Sequence, residues 1–257
     1  RELQGDYYRS DFQASSQPEV ALDVRNLVYE DRLKGISFQV HKGEIVGIGG
    51  LAHCGMHSLG KVCFGALKPE EGSVTVEDGT IIDSPAIAMK KRVGYVSKDR
   101  DVESLCLNAS IEDNISIAGM SEFAINNFLI LKNREKKYVN HQIEELSIKC
   151  AGRDQSVSQL SGGNKQKVVF GKWIGCGREI LILGCPTRGV DIGVKQAMYQ
   201  LMVRLKNEGK SILMISEELP ELIGMSDRIL IMKNGEVSAE FERSETLSDA
   251  QIIEYMI

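Results

Sequence analysis

A parallel-centred α/β fold is what this sequence predicts, and three observations carry the prediction. Three short runs, Ile45-Val46-Gly47-Ile48-Gly49-Gly50, Glu179-Ile180-Leu181-Ile182-Leu183 and Ser211-Ile212-Leu213-Met214-Ile215-Ser216, have the length and apolar content of strands buried on both faces. Helical patterns separate such runs, and strands alternating with helices favour a parallel sheet. The length, 257 residues with 42% hydrophobic, suffices for one large core or for one core plus a smaller lobe.

In chain order, residues 1–18 carry Gln, Ser, Gly and Asp without a clear period and end Ser15-Ser16-Gln17-Pro18, which reads as a linker. Val20–Val24 and Ile36–Val40 have strand character, the second with clean alternation. Lys42-Gly43-Glu44 turns the chain into the apolar run 45–50; a glycine-rich turn follows, then a helix from about Met56 to Phe64. Residues 72–82 read as an exposed hairpin turned by Asp78-Gly79. Val93–Val96 is another short strand, followed by the charged run Lys98-Asp99-Arg100-Asp101. From about Ser110 to Cys150 the pattern is helical throughout, which predicts a helical lobe inserted into the core. After 179–183 come a loop through Asp191, a helix over Val194–Asn207, the run 211–216 and a further helix. The closing strands, Arg228–Met232 and Glu236–Glu240, are turned by Asn234-Gly235.

Composition narrows the function. A formal net charge of -5 gives no electrostatic footprint for nucleic acid, and none is expected as a partner. No apolar run is long enough to span a bilayer, so a membrane role requires a partner chain. The six cysteines, at 54, 63, 106, 150, 176 and 185, contain no C-x-x-C pair and fit a reducing compartment, most of them as small buried side chains. The chain starts at Arg1 with no methionine and reads as a piece of something longer.

Two stretches carry chemistry. Leu160-Ser161-Gly162-Gly163-Asn164-Lys165-Gln166-Lys167 opens an amphipathic helix, with Ser161 as N-cap and Val168, Val169, Trp173 and Ile174 on one face. Glycines there leave backbone N–H groups bare at the positive end of the helix dipole, which suits a phosphate; an ordinary Ser-Gly-Gly turn into a helix is the plain alternative. The second stretch follows the strand 45–50. Gly50, four residues and Gly55 have the spacing of a phosphate-binding loop, but that loop needs Lys and then Ser/Thr next. Met56 and His57 stand there instead. His53, Cys54 and His57 are ligand types, yet zinc wants three or four protein ligands and no matching cluster lies nearby. A loop that has lost its phosphate-binding side chains is the better reading, and no metal site is assigned.

The order of these motifs resembles the nucleotide-binding domain of an ATP-binding-cassette (ABC) transporter. Asn164 after the glycines and Cys185-Pro186-Thr187-Arg188-Gly189-Val190-Asp191 resemble, more closely, the C-terminal half of the tandem ATP-binding subunit of ribose/galactose-type sugar importers. Arg1-Glu2-Leu3 is similar to the tail of that subunit's first domain. The resemblance implies a P-loop NTPase core over 19–97 and 155–257, with a parallel-centred sheet and an N-terminal antiparallel β portion. A helical subdomain would be inserted at about 98–154. It also implies ATP and Mg²⁺ as cofactors, a peripheral place on the cytoplasmic face of the membrane, and three kinds of partner. These are the N-terminal ATPase domain of the same subunit, transmembrane permease subunits and, indirectly, a sugar-binding protein.

Carried over residue by residue, the resemblance breaks on one side only. Met56 replaces the phosphate-binding cation and His57 the Mg²⁺-ligating hydroxyl; Gly184 replaces the Asp of the Mg²⁺ shell and Cys185 the carboxylate base. Lys98 takes the lid-loop Gln/Glu position and Glu217 the switch-histidine position, where Glu217 adds negative charge and Lys98 restores some attraction. Ser161, Gly162, Gly163, Asn164, Gln166, Pro186 and Asp191 are intact, and Tyr29 is either an adenine-stacking aromatic or an ordinary strand tyrosine. Charged hydrogen bonds contribute about 1.5–3 kcal/mol each, so losing the cation and the hydroxyl weakens Mg-ATP binding by about a hundredfold or more. In the family each ATP lies between one domain's P-loop and the other's signature motif. The implied role is donation of Ser161 and its glycine amides in trans to ATP held by the N-terminal half, without hydrolysis in cis. The alternatives are a competent ATPase with unusual residues and a purely structural or regulatory partner. A soluble cassette acting on ribosomes or chromosomes would carry basic linkers or long coiled-coil inserts, which this chain lacks, and Cys185 has no nearby histidine to make it a nucleophile.

Overall fold

Alternation over residues 36–40 sets the inner face of the first sheet. In the computed structural model, which describes residues 8–11, 13–125 and 129–257, β1 (Val20–Tyr29) and β2 (Leu33–His41) pair antiparallel. Ile36, Phe38 and Val40 turn inward while Ser37 and Gln39 face out. The chain then enters the second sheet with β3 (Ile45–Gly50), followed by α1 (Met56–Cys63), and returns to the first with β4 (Glu71–Val76). The expected hairpin over 72–82 is only half formed. β4 takes β1 as its partner, and the return limb contributes the single bridge Thr75–Ile81. Apolar Val74 and Val76 are buried by that pairing, whereas Ile81 is left exposed.

α2 (Pro85–Lys90) leads to β5 (Val93–Val96), and the charged run that follows closes into one π-helical turn, Arg100–Ser104. Ser110 and Asp113 form a reciprocal cap that starts α3 (Ile111–Ser116). The expectation of unbroken helix from Ser110 to Cys150 needs correction. After α4 (Met120–Phe123), the two-residue strands β6 (Ala124–Ile125) and β7 (Leu129–Ile130) pair antiparallel before α5 (Lys132–Glu145) begins. The connection 126–128 lies outside the described residues. At the other end, Ser147 at φ 49 ends the helical path well before Cys150.

The remaining elements alternate as the sequence predicts: α6 (Gly162–Ile174), β8 (Ile180–Gly184), α7 (Ile192–Asn207), β9 (Ser211–Ile215), α8 (Leu219–Met225), β10 (Arg228–Lys233), β11 (Glu236–Glu242) and α9 (Asp249–Ile253). The second sheet has the order β11-β10-β3-β9-β8-β5, parallel at every pair except β10–β11. Every residue of β3, β8 and β9 is buried, as continuous apolar runs require in the middle of a covered parallel sheet. Register decides where the functional loops go. Gly184 pairs with Ile215, Ile215 with Ile48 and Leu183 with Val96, so β3, β9, β8 and β5 end side by side. The loops beginning at residues 51, 216, 185 and 97 are thereby gathered along one edge, where open α/β sheets bind ligands.

Residues 1–7 and 12 of the expected linker lie outside the described residues. What is described of 8–18 is clasped to the core. Arg9 Nη1 donates to Asp227 Oδ1 at 2.8 Å with both side chains 2% exposed, and Lys206 Nζ lies 3.2 Å from Asp227 Oδ2. Ser15 and Ile45 add backbone N–H donors to the same carboxylate.

Candidate functional site

The loop after β3 keeps its glycine frame. Gly50 ends the strand in register with Met232, and Gly55, at φ 100, N-caps α1 without a side-chain cap. A side chain at Gly55 would strike the carbonyl of Arg32, so sterics as well as dihedral demand glycine there. The side chains around this frame diverge. His53 is exposed at φ 71, the Cys54 thiol is buried over Gly50, and Met56 is 1% exposed, spent on the core. Among the described residues no trio of His, Cys, Asp and Glu is gathered as a metal group.

His57 turns the other way. Its Nε2 is 3.2 Å from Glu217 Oε1 and 3.3 Å from Lys98 Nζ, and Lys98 Nζ donates to the same Glu217 oxygen at 2.5 Å. His57, in the first turn of α1, and one residue from each of the loops after β5 and β9 thus meet at the sheet edge. The Lys98 ammonium, with His57 behind it, holds the Glu217 carboxyl below the usual carboxylate range. Burial, aided by the Lys98 charge, pushes His57 below its ordinary value against the pull of Glu217, so the ring is neutral at pH 7. A neutral ring offers Nε2 either as donor to Glu217 or as acceptor from Lys98, not both at once. The sequence expects negative charge at Glu217 and some attraction from Lys98; in the structure that attraction is spent on Glu217 itself. The two neutralise each other.

Gly184 is buried at the end of β8, where an added Cβ would sit 3.0 Å from Lys98 N and 3.1 Å from Val96 O. Cys185 is buried at φ 47, its N–H donating to Ile215 O at 2.7 Å. Burial first, then the Glu217 charge, pushes its thiol up to about 11, so it is no nucleophile at neutral pH. Behind it Glu221, 1% exposed, accepts from Thr187 Oγ1 at 2.6 Å and from Ser216 Oγ, joining the loops after β8 and β9. Tyr29 ends β1, half-buried against the core, which leaves both readings of it open.

The second cluster surrounds the start of α6. Ser161 is exposed and N-caps the helix: its Oγ accepts from Asn164 N at 3.4 Å and from Asn164 Nδ2 at 2.9 Å, while Asn164 Oδ1 accepts from Lys149 N. The two glycines are there for close approach. A Cβ at Gly163 would be 2.7 Å from Val194 Cγ2, and one at Gly162 would be 2.9 Å from Arg100 Nη2. Gln166, 2% exposed, donates to Pro186 O at 2.8 Å, and Asp191 N-caps α7 through Val194 N. The structure therefore joins Ser161, Gly162, Gly163, Asn164, Gln166 and Asp191 in one cluster and His57, Lys98 and Glu217 in another. Sequence reasoning missed Arg100, which bridges α6 and the loop 186–191, and it missed the Glu221 knot. Arg100 was visible only as part of a charged run, and Glu221 carried no signal at all. A cleft of about 220 Å³, lined by Lys98, Asp99, Arg100, Val102, Arg188 and Gly189, runs along this edge.

Comparison with known proteins identifies the family and the fold. A family profile described as ABC transporter matches residues 33–188, more than half of the chain. The chain belongs to the ABC transporter family. It is 40% identical over 237 residues to the ribose import ATP-binding protein RbsA of Clostridium tetani, covering 92% of this chain and 47% of that protein. It is also 40% identical over 228 residues to the ribose import ATP-binding protein RbsA of Bacillus subtilis, covering 88% and 46%. The chain spans about half the length of these curated relatives. Among solved structures, a nucleotide-free ATP-binding cassette from an ABC transporter superposes with a TM-score of 0.75 at 23% identity, over 93% of this chain and 99% of that one. A dimeric bacterial ABC transporter cassette gives 0.73 at 18%, over 86% and 98%. These likenesses show the ABC ATPase fold, a P-loop NTPase with a parallel-centred sheet beside an antiparallel one.

Proposed function

We propose that this ABC-family chain is a nucleotide-binding cassette of a sugar importer that donates its signature motif to ATP held by a partner cassette and does not itself hydrolyse ATP. The observation that carries the reading is the contrast between the two clusters. On the P-loop side Met56 is in the core, His57 and Lys98 are engaged with Glu217, and position 184 has no carboxylate. Those residues do not fit a Mg²⁺-nucleotide, because neither a phosphate-binding cation nor a metal-binding oxygen is presented. On the other side an exposed serine and the N–H groups of Gly162 and Gly163 stand at the N-terminus of a 13-residue helix, where backbone donors and the helix dipole favour a phosphate.

In this reading the cassette core is 19–97 with 155–257, the helical subdomain is about 98–154, and the partner cassette precedes the chain in the same subunit. Permease subunits receive the stroke at the cytoplasmic face of the membrane, and a sugar-binding protein delivers the cargo. No helix among the described residues is long and apolar enough to cross a membrane, which agrees with a peripheral cassette. The names of the relatives point to ribose or a similar sugar as that cargo.

The test is Ser161→Arg in the two-cassette subunit with its permease. The guanidinium would occupy the place of the partner's γ-phosphate contact, and substrate-stimulated ATPase is expected to fall about tenfold or more, the loss of one charge-assisted hydrogen bond. Unchanged turnover would overturn the reading.

A further inference from the structure

The contacts around the start of α6 point to a residue that no motif marks. We propose that Arg100 is a positioning residue, whose guanidinium fixes the N-terminus of α6 against the loop 186–191 and so holds Ser161 and the neighbouring amides in one orientation. Its catalytic consequence rests on the donor reading above; the positioning itself does not.

The guanidinium spans three pieces of chain. Nη1 donates to Arg188 O at 2.7 Å and lies 3.4 Å from Gln166 Oε1; Nη2 donates to Gly189 O at 3.3 Å. Gln166 closes the ring by donating from Nε2 to Pro186 O at 2.8 Å. The turn 100–104, the first turns of α6 and the loop after β8 are therefore joined by charge-assisted bonds to two carbonyls and one buried amide. Gly162 is part of the same fit, since a Cβ there would be 2.9 Å from Arg100 Nη2 and 3.1 Å from Gly189 O. The bare α-carbon of the signature glycine lies against the guanidinium.

The segment carrying Arg100 is held on both sides. Asp101 Oδ2 takes Lys165 Nζ of α6 at 3.0 Å, and Asp99 lies 3.5 Å from Arg188 Nη1. Two residues upstream, Lys98 is tied to Glu217. Lys172, further along α6, donates to the carbonyl of Ser104 at the end of the π-turn. The alternating charges of Lys98-Asp99-Arg100-Asp101 thus tie this segment to the loop after β9, to the loop 186–191 and to α6. All these ties are protein to protein, so the signature keeps its orientation without a nucleotide in this chain's own site. A lysine at 100 has one nitrogen on a flexible stem and cannot serve both carbonyls and the amide together.

The experiment compares Arg100→Ala and Arg100→Lys with the parent. In the 257-residue chain, hydrogen–deuterium exchange is read at Asn164, Lys165 and Gln166, with β8 and β9 as internal control. Arg100→Ala is expected to speed exchange at 164–166 about tenfold, as one lost charged hydrogen bond implies, with β8 and β9 unchanged; Arg100→Lys recovers part of the protection. In the two-cassette subunit the same change is expected to lower kcat about tenfold with KM for ATP within about twofold. Unchanged exchange at 164–166 overturns the positioning role; loosened exchange with kcat intact, when Ser161→Arg lowers turnover, overturns its catalytic consequence. If Ser161→Arg leaves turnover intact, the donor reading falls, and exchange alone decides the role of Arg100. Should Arg100→Ala fail to fold, Arg100→Lys carries both measurements.

Discussion

Gly184 is buried at the end of β8, close against the main chain at the end of β5. An added Cβ would already sit 3.0 Å from Lys98 N and 3.1 Å from Val96 O, both main-chain atoms that cannot swing aside. An aspartate there would also place a second buried carboxylate near Glu221 and Glu217, with no cation to spare because Lys98 is engaged. Gly184→Asp is therefore expected to destabilise the chain by about 2 kcal/mol or more, through crowding and an uncompensated charge. For a chain of this size that is roughly 4–8 °C in Tm. Thermal melts of Gly184→Asp beside Gly184→Ala check this: Ala should lose less than Asp, and an aspartate variant melting with the parent would mean that the strand end is more open than described. The substitution at 184 is readable from the sequence. The close approach of Val96 O and Lys98 N is not, because β5 lies far along the chain from β8.

Among the elements, strands and caps were the most legible. The continuous apolar runs of β3, β8 and β9 and the Ser161 cap of α6 depend on local pattern, and each stands where the pattern put it. The β6–β7 hairpin was not legible, since two-residue strands are too short to leave a period. Nor was the clasp formed by the segment before β1. Polar, aperiodic residues read as a linker, yet Arg9 reaches an acid 218 positions away. Breaking a buried pair costs about 3–5 kcal/mol; Asp227 keeps Lys206 and two amides, so Arg9→Ala should lie near 3 kcal/mol. Urea unfolding monitored by far-UV circular dichroism should show a lower midpoint at unchanged slope. A midpoint equal to the parent's would return the segment to the status of a tether. The same clasp fixes the segment at Arg9 against α8, through Arg9 N donating to Gly224 O.

For the molecule as a whole, the buried acid Glu221 sets a signed pH dependence. Burial first raises its pKa, the Glu218 charge adds to this, and the hydrogen bonds from Ser216 and Thr187 oppose it; Lys195 offsets Glu218 from α7. The folded state therefore keeps a proton that the unfolded chain releases near the ordinary carboxylate value of about 4.3. Stability is lost as pH rises through the window from that value up to the raised one. Glu217 and Asp78 have the opposite sign: both are held below the usual range, Asp78 at about 2 by Lys91 and Thr80, so their contributions persist at neutral pH and fade only as pH falls through the depressed values. His57, pushed down by burial, also favours the higher pH, because below about 6.5 the unfolded state takes up the proton first. Glu221→Gln removes one contribution and leaves the others, so the difference between variant and parent isolates it. Between pH 5 and pH 8 the variant should gain on the parent, by about 1.4 kcal/mol for each unit by which the folded value exceeds the unfolded one within that interval. Urea titrations of both proteins at the two pH values measure the gain. A difference that stays flat between pH 5 and pH 8 would mean that Glu221 is already ionised in the fold, with Ser216 and Thr187 as donors strong enough to outweigh burial.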